Sequence, residues 1–134
     1  MKKITYSILL VVIIILVSSC ATKVYTRTLV YKKAGGDLRI HEKLEISGEN
    51  FIFTKETAKG KAVFKGKFEE KKDTWIFRVG YFKPVNAQER YFDPPIVYIY
   101  RISKTPGGIQ FASPRVKGGR SPIQFIMRGT FVLK

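Results

Sequence analysis

The chain of 134 residues has room for one domain of ordinary size and little more. With 45% hydrophobic and 13% aromatic residues it can bury a core, which excludes general disorder. Its 25 Lys and Arg against 10 Asp and Glu give a formal charge of +15, which points to anionic surfaces as partners, and its single cysteine excludes an internal disulfide.

The amino terminus reads in three parts: the positive flank Met1-Lys2-Lys3, a largely apolar run from Ile4 to Val17, and Ser18-Ser19 ahead of Cys20. A spanning helix needs roughly 20 apolar residues, so the run suits the core of a secretory signal better than a permanent anchor. The other reading is a plain transmembrane segment with an incidental cysteine. The stretch Val17-Ser18-Ser19-Cys20 resembles the bacterial lipobox. That resemblance implies a diacylglyceryl group in thioether linkage to the Cys20 sulfur, cleavage of the signal before Cys20, and acylation of the new amine. It divides the chain into a signal peptide (1–19), a lipidated terminus with a short tether (20–23) and a single β domain (24–134). Two or three acyl chains, at about 0.8 kcal/mol per buried methylene, hold durably where one holds marginally. Ala21 stands where an aspartate would signal inner-membrane retention in some bacteria, so the resemblance favours the outer membrane, facing the periplasm.

Loss of residues 1–19 removes Lys2 and Lys3 and no acidic residue, so nearly all the positive charge stays with the mature chain. Export argues against nucleic acid as a partner. The expected partners are the membrane, through the lipid on Cys20, then anionic phospholipid or lipopolysaccharide phosphates, and an envelope protein.

Beyond the tether, period-two alternation recurs between turn clusters, predicting an all-β domain. The predicted strands are Val24 to Lys32, Leu38 to Ile46, Phe51 to Glu56, Ala62 to Glu69, Thr74 to Phe82, Ile96 to Ser103, Ile109 to Ser113 and Ile123 to Leu133. In the second, Glu42 shares the apolar phase of Leu38, Ile40, Leu44 and Ile46, which predicts a bulge or a rim position there. In the last, Ile123, Phe125, Met127, Gly129, Phe131 and Leu133 fall on one face, with Gly129 relieving crowding. All six prolines fall in the predicted connections, where no ladder N–H is needed. Short links favour antiparallel neighbours, and closing eight such strands into a barrel removes both exposed edges. The expected fold is therefore an antiparallel eight-stranded meander barrel, with a two-sheet β-sandwich as the alternative. Together with the lipobox, this strand rhythm resembles the small lipocalin-like lipoproteins of bacterial envelopes.

Catalytic and metal chemistry find little support. His41, the only histidine, lies on the polar face of its strand and has no cysteine to join it in a metal site. Glu69 and Glu70 are adjacent on a strand and point to opposite faces, so they cannot act as an acid/base pair. Tyr100 and Lys104 have a spacing that serves some oxidoreductases on a helix, but here the tyrosine is on a strand. The expectation is a non-enzymatic protein with neither cofactor nor metal.

The aromatics are the richer signal. Trp75 and Phe77 share a face with Val79 and Tyr81, and an eight-stranded barrel is either filled by such side chains or holds one small apolar ligand. Gly66 and Gly80 give up side-chain volume, which favours space. The connection Lys83 to Pro95 carries Arg90, Tyr91 and Phe92, a composition suited to a lid or a contact patch. The connection Pro114 to Pro122 sets Arg115, Lys117 and Arg120 around Gly118-Gly119, where converging N–H groups and cations suit phosphate or carboxylate. Plain core packing and solvated basic turns are the competing readings. The expected function is a membrane-anchored envelope lipoprotein whose barrel binds a small apolar, amphiphilic or anionic ligand. The alternatives are a scaffold subunit of an envelope complex and an enzyme inhibitor.

Overall fold

The computed structural model describes residues 21–134. The predicted signal peptide and Cys20 lie outside the described residues. Nine strands follow in order: β1 (Lys23–Lys33), β2 (Gly36–Ser47), β3 (Asn50–Thr57), β4 (Gly60–Lys71), β5 (Thr74–Lys83), β6 (Arg90–Thr105), β7 (Gly108–Phe111), β8 (Arg115–Val116) and β9 (Gly129–Leu133). Strands β1 to β5 form an antiparallel meander, β5 pairs with β6, β6 with β7, β7 with β9, and β9 returns to β1. The ring is thus a closed eight-stranded antiparallel barrel, and the short β8 is an extra strand on β6. Closure leaves no pair of stacked open sheets, so the sandwich alternative falls. The end where β1 begins is called the base, and the end where β1 turns into β2 the top.

Alternation decides what faces inward. Tyr25, Leu44, Ile46, Phe51, Phe53, Phe64, Phe68, Trp75, Phe77, Val79, Tyr98, Tyr100 and Ile102 occupy the inner phase of their strands and are buried together. Burying large rings at about 25 cal/mol per Å² of apolar surface is the main term holding such a barrel closed.

The carboxy-terminal stretch departs from the predicted last strand. Only Gly129–Leu133 joins the ladder, while residues 121–128 run without sheet pairing. They fold into the barrel: Ile123, Phe125 and Met127 are buried, and the Phe125 ring lies with centroids 5.0 to 6.0 Å from Tyr98 and Tyr100. The same ring contacts Phe51, Phe53, Phe64 and Phe77 on other walls. Inward-pointing hydroxyls replace the missing ladder. Tyr98 donates to the Ile123 carbonyl at 2.9 Å, Tyr100 donates to the Phe125 carbonyl at 2.6 Å, and the Met127 N–H donates to the Tyr100 oxygen at 3.0 Å. Ser121 also meets the Tyr98 hydroxyl and donates to Ile123 O at 2.6 Å. Pro122 has no N–H to give a neighbour, and Gly129 (φ 76°) turns the chain back into the sheet in a conformation that L side chains rarely adopt. The predicted face holds for Ile123, Phe125, Met127 and Phe131, whereas Leu133 is exposed at the base rim.

Three further expectations are corrected. Of the two readings of Glu42, the bulge falls: it sits in an unbroken β1–β2 register opposite Arg27, is only 4% exposed, and faces inward into the depression at the top end of the barrel. Gly66 leaves no cavity, because a Cβ there would come within 1.8 Å of the Arg78 carbonyl oxygen; the glycine permits close backbone approach at the β4–β5 register shift. Pro94 and Pro95 lie inside β6, where the register jumps from Val79↔Ile96 to Tyr81↔Tyr91 and residues 92–95 bulge out of the ladder.

Candidate functional site

The residues singled out from sequence separate to different parts of the barrel. Phe77 is fully buried among Phe51, Phe68, Tyr100 and Phe125, so the middle of the barrel is filled by side chains. Trp75, two residues nearer the base, stacks edge-on against Tyr25, Phe68 and Phe111 and lines a depression. The predicted loop around Tyr91 and Phe92 is strand from Arg90 onward, and the alternation sends these two side chains opposite ways. Phe92 packs on the core under the Arg90 guanidinium, 5.2 Å from its ring. Tyr91 is 70% exposed and stands edge-on to Tyr81. Both hydroxyls donate to Glu89, at 3.1 and 3.0 Å, and those bonds raise both phenols above their ordinary value.

The basic turn is more dispersed. Gly118 and Gly119 both take positive φ (89° and 80°), and the Gly119 N–H closes the turn onto Val116 O at 3.0 Å. Arg115, Lys117 and Arg120 are exposed, and among the described residues none forms a salt bridge. His41 is exposed and meets Thr28 Oγ1 at 3.1 Å. Glu69 lies outside, 3.0 Å from Arg78, while Glu70 reaches the base.

The base mouth gathers what sequence spacing could not. Ala21 just before β1, Lys23 and Tyr25 from its start, Ile46 from the end of β2, Phe68 and Glu70 from β4, Trp75 from β5, Lys104 and Thr105 from β6 and Ile109 from β7 line one depression of about 450 Å³. Its floor is apolar and aromatic, and its rim carries Lys23 and Lys104 against one carboxylate, Glu70. Two polar atoms in this wall, Trp75 Nε1 and Thr105 Oγ1, are buried without a hydrogen-bond partner among the described residues. Native proteins satisfy most buried polar atoms, so these two are exceptions beside the mouth. Burial raises the Tyr25 phenol above its ordinary value, and the nearby Glu70 charge adds to the rise, so Tyr25 is a neutral donor throughout the physiological range. An apolar floor and a cationic rim suit an amphiphile with an anionic head. Among the described residues no group of His, Cys, Asp and Glu is arranged to hold a metal ion.

Of the binding residues inferred from sequence, Trp75 alone lies at this mouth; Tyr25, Ile46, Lys104 and Thr105 were missed. Their only signal was the position of each at the base end of its strand, which becomes visible once the register is known. In comparisons with known proteins the chain matches no family model, no curated protein and no solved structure, so its fold stands on its own geometry.

Proposed function

We propose that the protein is a non-enzymatic lipoprotein of the bacterial envelope, anchored through lipid on Cys20 in the outer membrane, and that its barrel engages an anionic amphiphile at the base mouth. The observation that carries this reading is the position of Ala21. It lines the same depression as Trp75, and Cys20 is its neighbour in sequence. An acyl anchor there keeps the mouth within a few residues' reach of the bilayer. Lys23 and Lys104 then face anionic head groups, and Trp75 and Tyr25 combine an apolar body with a polar tip, the side-chain type favoured at a membrane interface.

The filled interior supports binding at the end of the barrel rather than within it. Intact mass of membrane-extracted protein tests the anchor: the expected chain begins at Cys20 and carries diacylglyceryl, and a chain beginning at Met1 with unmodified Cys20 contradicts it. Titration with a short-chain anionic phospholipid tests the mouth. Trp75 is the only tryptophan, so a saturable change in its emission is expected and an unchanged spectrum contradicts binding there.

A scaffold role is the second reading, and the exposure of Tyr91 favours it, since a large aromatic held out by Tyr81 and Glu89 is a suitable anchor for a protein partner. A photocrosslinker at position 91 should then capture one envelope protein, and failure to capture any would remove that support.

A further inference from the structure

At the top of the barrel the inward fold of residues 121–128 has a second consequence. β1 pairs with β9 only through Tyr25 and Thr26, so the edge of β1 from Arg27 onward faces this unpaired segment across a gap in the wall. The segment has two sides. Phe125 and Met127 fill the core, whereas Ile126 and Arg128 face outward into a depression of about 260 Å³. Its other walls are Leu29 and Tyr31 from β1, Ile40 from β2 and a cluster of charge below them.

That cluster is unbalanced. Glu42 stands between two cross-strand neighbours, Arg27 on β1 and Lys55 on β3, and Arg128 lines the same depression. Three cations therefore answer one carboxylate. The Arg27–Glu42 pair is loose, with Nε to Oε1 at 3.8 Å, although the Arg27 side chain is only 18% exposed. Arg27 Nη1 is buried with no hydrogen-bond partner among the described residues. The guanidinium is held rather than free: it lies 5.8 Å from the Phe131 ring centre, and Gly129 makes room for it, since a Cβ there would stand 2.9 Å from Nη1. Lys55 is held likewise, 6.0 Å above the Phe53 ring. A buried guanidinium with an unmatched donor costs free energy unless an anion completes it, and a planar fork suits the two oxygens of a carboxylate or phosphate.

We infer that this cleft is a second binding site, for a small organic oxyanion whose head sits among Arg27, Lys55 and Arg128 and whose short apolar tail lies along Leu29, Ile40 and Ile126. Its volume is below the usual range for drug-sized ligand pockets, which limits the tail to a few carbons and excludes a full lipid. The site lies at the opposite end of the barrel from the base mouth and needs no lipid on Cys20, so it stands or falls separately from the membrane reading.

Methyl chemical shifts of Leu29, Ile40 and Ile126 in the purified full-length protein test it, with n-butyl phosphate, inorganic phosphate and n-butanol as probes. Butyl phosphate should give saturable shifts at these methyls and bind about tenfold or more tighter than either inorganic phosphate or butanol. Arg128 is exposed, so Arg128→Gln should fold normally and weaken butyl phosphate about tenfold; Lys55→Gln, on a separate strand, should do the same. The site is overturned if butanol or inorganic phosphate binds as well as butyl phosphate, if the shifts do not saturate, or if both variants bind with unchanged affinity.

Discussion

Tyr100 shows how one side chain can stand in for a strand. Its hydroxyl accepts from the Met127 N–H and donates to the Phe125 carbonyl, so two backbone groups that left the sheet are satisfied by one oxygen. Burial pushes its phenol far above the ordinary value, so it stays neutral and able to donate across the physiological range. Tyr100→Phe leaves both backbone groups buried and unpaired, and a loss of about 3 kcal/mol is expected by urea unfolding. Glu42 gives a prediction in pH. Burial raises its carboxyl above the ordinary value, against the opposing charges of Lys55 and Arg27. A carboxyl with a higher pKa folded than unfolded holds its proton more tightly in the native state. Its contribution is therefore fully present below the ordinary carboxylate range and is lost as pH rises through the native value. Wild type should lose stability relative to Glu42→Gln as pH rises above the ordinary value of 4.5, in unfolding curves taken across pH. A difference that stays flat or grows in the wild type's favour contradicts this.

At the scale of the element, the meander strands were legible because alternation is a local property. Leu44 and Ile46, or Phe51 and Phe53, face inward whatever their neighbours are, and the core confirms them. The segment 121–128 shows where that legibility ends. An extended chain alternates whether or not it is hydrogen-bonded to a neighbour, so Ile123, Phe125 and Met127 read as strand although their partners are tyrosine hydroxyls and aromatic rings distant in sequence. Arg27 was overlooked for a related reason: its phase with Tyr25 and Leu29 was visible, but its pairing with Glu42 needs the register. Strand β6 was read as starting late because Pro94 and Pro95 look like a break, and only the bulge opposite Gly80 accommodates them. Two substitutions test these elements. Phe125→Ala removes the ring at the centre of the barrel, with an expected loss of about 4 kcal/mol and a new interior cavity that takes up a small apolar fluorophore. Gly66→Ala forces β4 from β5 at the Arg78 carbonyl and should cost about 3 kcal/mol. Gly80→Ala, whose nearest atom would be Phe92 O at 3.9 Å, should cost less than about 1 kcal/mol.

For the whole molecule, closure of the barrel and filling of its middle leave chemistry to the two ends. The top is cationic around Arg27, Lys55 and Arg128, and the base is aromatic around Trp75 with Lys23 and Lys104 on its rim. The proposed anchor breaks the equivalence of the ends, because Ala21, next in sequence to Cys20, lines the base depression. Cys20→Ser should abolish both the diacylglyceryl mass and cleavage of the signal, read by intact mass, without altering the thermal unfolding of the barrel, whose first strand begins at Lys23. The most direct measurement is quenching of Trp75, the only tryptophan, by phospholipids brominated along their acyl chains, with the lipidated protein reconstituted in anionic vesicles. With the base mouth held at the bilayer, strong quenching is expected, greatest for bromines near the head group. Emission that is unquenched while the protein remains bound to the vesicles would contradict a membrane-facing mouth.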